Sequence, residues 1–252
     1  MNKEEFKELQ DETAFYLYNI ESLQKKLYIT DLKYNYYFYD LLKEKIAIEN
    51  EINCIRGMIE NKNRNLNYNE FKKAFMKKMK ENDANVEAKH NQTLIIFDAV
   101  TNISKEESDK VENYFKNFVR THHPVVLYNK NKEAAMSYDF VKKMYRENNY
   151  NGMVEAYNLN KASFNADPIF PNSYNEVALL YYEFKKNVTT NFMKISDKEY
   201  PKNKLMVFET PDGIEKEKEQ LKKDTENLLA ILVPLQKDYE QNFGEKFSFD
   251  LN

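Results

Sequence analysis

The sequence predicts an all-α chain, an elongated helical bundle or coiled coil into which a shorter helical hairpin is inserted, and three observations carry that reading. Only four glycines and six prolines punctuate 252 residues, so the elements must be few and long. Apolar residues recur at steps of three and four along most of the chain, the period of a helix rather than the alternation of a strand. Ser104 with Glu107, and Ser173 with Glu176, have the spacing of capping boxes, in which a hydroxyl takes an orphan amide and the carboxylate reaches back.

The elements follow in order. Phe6, Leu9, Thr13, Tyr16, Ile20, Leu23, Leu27, Asp31, Tyr34, Phe38, Leu41, Lys45, Ile48, Ile52, Ile55 and Ile59 hold one heptad-like register, which predicts a single helix over about 3–61. A hairpin turning near Ile29-Thr30-Asp31 is the alternative. Thr13, Asp31 and Lys45 interrupt the seam, either as loose packing or as buried polar residues that fix register. The Asn-rich stretch 60–69 has no apolar period and reads as a loop. Phe71, Phe75, Met79, Val86, Leu94, Phe97 and Val100 then mark one face of a connecting helix, with His90 packed close to it. Beside that face Lys72, Lys73, Lys77, Lys78 and Lys80 read as a solvated basic side.

From Ser104 a further amphipathic helix carries Val111, Phe115 and Phe118 at i, i+4 and i+7, with Tyr114 alongside. Pro124 cannot continue it and biases His123 away from helical torsions, so it stops at the histidines. After a polar loop, Tyr128 to Asn131, the next helix repeats Tyr138, Val141 and Tyr145, and a short helix from Gly152 to Tyr157 closes the module. Residues 166–173, with Pro168 and Pro171, read as an extended linker. A helix through Val177, Tyr181, Phe184, Val188, Phe192 and Ile195 follows, ending near Ser196. Between Pro201 and Pro211 the run Leu205-Met206-Val207-Phe208 reads as extended. The last helix places Ile214, Leu221, Thr225, Leu228, Leu232, Leu235 and Tyr239 on one face, with Pro234 set to kink it. The two C-terminal helices would form a hairpin packed on the N-terminal one. The chain thus divides into a long N-terminal helix (1–62), a connecting helix (69–102), a helical module (103–160) and a C-terminal hairpin (161–252).

Residues on both sides of the His-Pro dipeptide resemble the J domain of DnaJ-type co-chaperones. That family's second helix ends Tyr-Arg-Lys-Leu-Ala-x-x-Tyr-His-Pro-Asp, and its third carries Phe-x-x-Ile-x-x-Ala-Tyr. Phe115, Lys116, Phe118, Val119, His123 and Pro124 fall on the first pattern; Tyr138, Val141, Met144 and Tyr145 fall on the second. The resemblance covers roughly a fifth of the chain, and the layout with long flanking helices is similar to J-like proteins of bacteria with A+T-rich genomes. It implies a docking surface made of Lys116, Arg120, His122, His123 and Pro124. It also implies a loss, because the loop aspartate that the family needs to stimulate its partner's ATPase is replaced by Val125.

Other chemistries find little footing. A net charge of −3 supplies no global field for nucleic acid. The lone Cys54 cannot form an internal disulfide, no Cys/His set has zinc spacing, and the dispersed glycines make no phosphate cradle, so neither cofactor nor metal is expected. The longest apolar run, Leu228 to Leu235, is too short to span a membrane, and a cytoplasmic protein is expected. The reading is a non-enzymatic helical interaction or scaffold protein, a subunit of a larger bacterial complex that meets a protein partner or itself through its heptad helices. The alternatives are a co-chaperone stimulating a DnaK-type chaperone, and an enzyme or effector whose site the sequence does not reveal.

Overall fold

The computed structural model describes residues 2–126, 132–164, 174–196 and 199–249, with some side chains inside the helices left aside. The chain is all-α, a multi-helix bundle with no strand among the described residues. Its helices are α1 (Lys3–Asn63), α2 (Tyr68–Thr101), α3 (Lys105–His122), α4 (Lys132–Arg146), α5 (Tyr150–Phe164), α6 (Tyr174–Ser196), α7 (Glu199–Val207) and α8 (Gly213–Phe243). The predicted linker at 166–173, its Ser173 cap and the loop Tyr128 to Asn131 lie outside the described residues, as do the side chains of Phe184, Val188, Phe192 and Ile195.

Two compact units emerge. The first comprises residues 1–33 and 96–205, the second 34–95 and 206–252. In the first unit α3, α4 and α5 pack on one another. Their core joins Val111, Phe115, Phe118 and Val119 of α3 to Tyr138, Val141 and Tyr145 of α4, Met153 of α5 and Leu17 of α1. Phe115 and Tyr145 stack face to face with centroids 3.8 Å apart. Phe6 and Leu9 of α1 pack against Val177, Ala178 and Tyr181 of α6, while Leu32 meets Phe97 and Val100.

The second unit packs Ile48, Ile52, Ile55 and Met58 of α1 against Leu232 and Tyr239 of α8, with Phe71 and Phe75 of α2 partly covering them. Gly57 lets the Phe71 ring lie against α1: a β-carbon there would sit 2.2 Å from the tip of that ring, which would have to move. Phe38, Val207 and Leu221 form a smaller cluster.

Helix ends show how a glycine-poor chain turns. At the end of α1, Leu66 N–H donates to the Asn61 carbonyl at 2.8 Å and Asn65 N–H to that of Lys62 at 3.0 Å, with Asn65 left-handed at φ 55°. At the end of α4, Asn149 donates to Met144 and Asn148 to Tyr145, with Asn148 at φ 50°. Both are Schellman closures with asparagine in the position glycine usually takes.

Several expectations are corrected. Leu205 to Val207 are helical, not extended: Pro201 falls in the first turn of α7, where a missing N–H costs nothing, and Val207 is buried as a helical residue. The closing helix of the module runs on to Phe164, because Tyr157 stacks on Tyr114 at 4.2 Å and Phe164 meets Phe118 edge-on at 4.9 Å. The loop expected over 60–69 shrinks to 64–67. On α2, Met76 is buried while Val86 and Leu94 are exposed.

α1 is one helix, as favoured, but its buried stripe moves off the expected seam. Between Thr13 and Phe38 the buried positions are Ala14, Leu17, Glu21, Lys25, Thr30 and Leu32. A straight helix has 3.6 residues per turn, so a seven-residue count drifts around it. The three polar seam residues are all satisfied. Thr13 donates to the Leu9 carbonyl, Lys204 pairs with Asp31 at 2.8 Å, and Lys45 pairs with Asp224 at 2.9 Å.

Candidate partner-binding site

α3 positions the site, and its limits have local causes. The Ser104 hydroxyl accepts the Glu107 amide at 3.2 Å and the Glu107 carboxylate accepts the Ser104 amide at 3.1 Å, so the predicted capping box is present. At the other end His123 is extended, as a residue before proline should be.

Glu112, Lys116 and Arg120 lie at i, i+4 and i+8 on one stripe of α3, and each meets a residue of α1 at a seven-residue step. Lys25 donates to Glu112 at 2.8 Å, Lys116 sits 4.9 Å above the Tyr18 ring, and Arg120 donates to Asp11 at 2.8 Å. The hydroxyls of Tyr18 and Tyr145 add 2.6 Å and 2.7 Å bonds to the second oxygen of Glu112. Burial alone would raise the Glu112 pKa, yet the bonds from Lys25 and Tyr18 together hold it below the ordinary carboxylate value. Burial pulls Lys25 down, and burial with the neighbouring Glu112 pushes Tyr18 up to about 12. A second ion pair, Arg146 to Glu21 at 2.9 Å, is anchored on a glutamate only 8% exposed.

Beside this stripe α1 and α3 leave an open groove of about 700 Å³, walled by Phe15, Tyr18, Asn113, Lys116, Asn117 and Arg120. Phe15 is 61% exposed at its edge. Among the described residues no carboxylate pairs with Lys116, whereas Arg120 is already engaged.

The predicted docking residues therefore separate. Lys116 and Arg120 line the groove, but the histidines turn toward the interior of the module. His122 lies against Phe118 and Phe164, with Nδ1 2.7 Å from the Thr121 hydroxyl. That hydroxyl spends its proton on the Asn117 carbonyl, so Nδ1 is the donor. His123 packs edge-on to Tyr138 at 4.6 Å, and its Nδ1 accepts the Val125 amide at 3.1 Å. Burial, reinforced by Lys142, lowers its pKa to about 4, while burial also lowers that of His122. After Pro124 the chain is tied down: Val125 touches both the α3–α5 core and the Phe6–Tyr181 cluster, and the Val126 carbonyl accepts from Gln10 at 3.0 Å and from the Tyr181 hydroxyl.

The chain matches no protein-family model, and no characterised protein or solved structure is similar to it. Among the described residues no group of three or more His, Cys, Asp or Glu side chains could hold a metal ion, and no helix is long and apolar enough to cross a membrane. Sequence reasoning missed Glu21, Lys25, Glu112 and Phe15. Periodicity treats a charged residue on a helix as solvated, and the only signal for the first two was their four-residue spacing with opposite charge.

Proposed function

We propose that this chain is a non-enzymatic protein-interaction subunit, in which a J-like helical module without its acidic loop residue serves as a docking body rather than an ATPase stimulator. The observation that carries the reading is the α1–α3 groove, where an exposed aromatic, an unneutralised lysine and two asparagine amides lie side by side. That mixture of apolar anchor and hydrogen-bonding rim suits a helical segment of a protein partner. The packed state of Val125 and His123 supports the second half of the reading, since a loop that presented them to an ATPase would have to give up apolar contacts and the His123–Val125 bond.

Affinity capture from the native host with the full chain, against a Phe15→Ala/Lys116→Glu variant, tests the groove. A partner lost from the variant alone is the expected result, and identical captured sets refute it. An ATPase assay on the cognate DnaK-type chaperone tests the module: no stimulation is expected. Stimulation that disappears in His123→Ala would replace this reading with the co-chaperone one.

A further inference from the structure

Away from that groove, the second unit has a pocket of about 320 Å³ between α1 and α2. Its walls are two helical stripes with the spacing i, i+4, i+7: Tyr39, Lys43 and Ile46 of α1, and Met79, Asp83 and Val86 of α2, with Phe249 adding a third side. We infer that it binds a free amino acid with a large apolar side chain, a small zwitterion with an apolar body.

The space is held open by the packing around it. The Tyr39 ring stacks on His90 of α2 at 3.5 Å, almost parallel, and ties the two helices together beside the pocket. Ile46 and Val86 line the same space from opposite helices, yet they stay 38% and 41% exposed. Further along α1, Ile52 and Ile55 are closed over by their neighbours. Apolar side chains left uncovered in a concave site are what the body of a ligand shields from water. The volume lies at the small end of ligand pockets, which span about 300–1,000 Å³, so a single small molecule fits it better than a segment of protein.

Charge decides the class of ligand. Lys43 holds its ammonium 5.7 Å from the centre of the Tyr39 ring on the α1 wall, while Asp83 and Glu87 stand on the α2 wall. Among the described residues none of the three forms an ion pair, although α1 closes such pairs elsewhere, Lys25 with Glu112 at 2.8 Å and Lys45 with Asp224 at 2.9 Å. A neutral apolar molecule would cover Ile46 and Val86 and leave these charges unanswered. A carboxylate alone would meet Asp83 and Glu87, an amine alone would meet Lys43, and like charges in one site repel. A zwitterion sets its carboxylate on Lys43 and its ammonium on the α2 carboxylates, and both contacts are charge-assisted. The Asn50 amide, on the α1 wall, offers the same head group a donor and an acceptor. None of this depends on the docking role of the α1–α3 groove, which belongs to the other unit.

The test is an NMR titration of the isotope-labelled full chain with L-phenylalanine and, separately, with L-leucine. Each is set against the analogue without its ammonium and the one without its carboxylate: 3-phenylpropionate and 2-phenylethylamine for the first, 4-methylpentanoate and 3-methylbutylamine for the second. Saturable shifts centred on Ile46, Ala47 and Val86 are expected with at least one amino acid, and both of its analogues should bind about fivefold more weakly. Lys43→Gln and the double variant Asp83→Asn/Glu87→Gln, all at exposed positions, should each weaken binding about two- to fivefold. Ala47→Leu, also exposed, takes up the space itself and should weaken it about tenfold. Glu155→Gln, on α5 in the other unit, should change nothing. Absence of saturable shifts at the pocket with both amino acids, an analogue that binds as tightly as its parent, or wild-type affinity in all three pocket variants overturns the assignment.

Discussion

At Val125 an apolar side chain makes contacts on two sides. The side chain is half-buried between two apolar clusters, and its amide is the donor that fixes His123. A carboxylate there would lose hydration without gaining a partner, so Val125→Asp should cost about 1–3 kcal/mol in urea unfolding and should not create ATPase stimulation. A stable variant that stimulates would show that this position is free to act as a switch. Lys25 is the second decisive residue, 5% exposed and paired with Glu112. Lys25→Met strands a carboxylate that is itself partly solvated, which should cost about 2–3 kcal/mol, below the range for a fully buried pair. Adding Glu112→Gln should recover part of the loss, because the amide oxygen still accepts from Tyr18 and Tyr145 while the uncompensated charge is gone. A double variant no more stable than Lys25→Met would mean that packing, not charge, sets the cost.

Among the elements, α3 was legible end to end because its limits are written in local chemistry: a serine–glutamate box at one end and a proline after the other. The length of α1 was equally legible from its unbroken period. Its buried face was not, since Glu21 and Lys25 are interior only through partners more than eighty residues away, Arg146 and Glu112, and no local window contains them. α7 was hidden for a different reason: a proline in a first turn looks the same in sequence as a proline that forbids a helix. The candidate site was half legible. Lys116 and Arg120 do share a lined groove, but the inward turn of both histidines depends on Tyr138, Phe118 and Phe164. The Schellman ends give a sharp test. Asn65 holds φ 55° without a glycine, so Asn65→Gly should stabilise α1 by a few tenths of a kcal/mol, whereas Asn65→Ala should destabilise it by about 1 kcal/mol in urea melts. Equal effects of the two substitutions would contradict the left-handed closure.

For the molecule as a whole, the two units should answer acid differently, because the histidines whose pKa folding lowers belong to the first. His123 is lowered to about 4 by burial and Lys142, with Asp139 opposing, and its ring faces Tyr138; His122 is lowered in the same direction. A base depressed in the folded state binds fewer protons there than in the unfolded chain, whose histidine titrates near the ordinary value of about 6.5. Its stabilising contribution is therefore complete above that value and falls as pH drops toward 4. Glu112, held below the ordinary carboxylate value, extends the loss to lower pH. The shifted groups of the second unit lie outside this window: Cys54 is raised to about 11, Tyr239 to about 12, and Asp224 is lowered by Lys45. Native-state hydrogen exchange, corrected for intrinsic rates, should show protection in α3, α4 and α5 falling by the order of 1–2 kcal/mol between pH 7 and 5, while α8 changes far less. His123→Gln should flatten most of that slope. If α8 loses protection in step with α3, or the variant keeps the wild-type slope, the acid response does not come from the histidine buried behind Pro124.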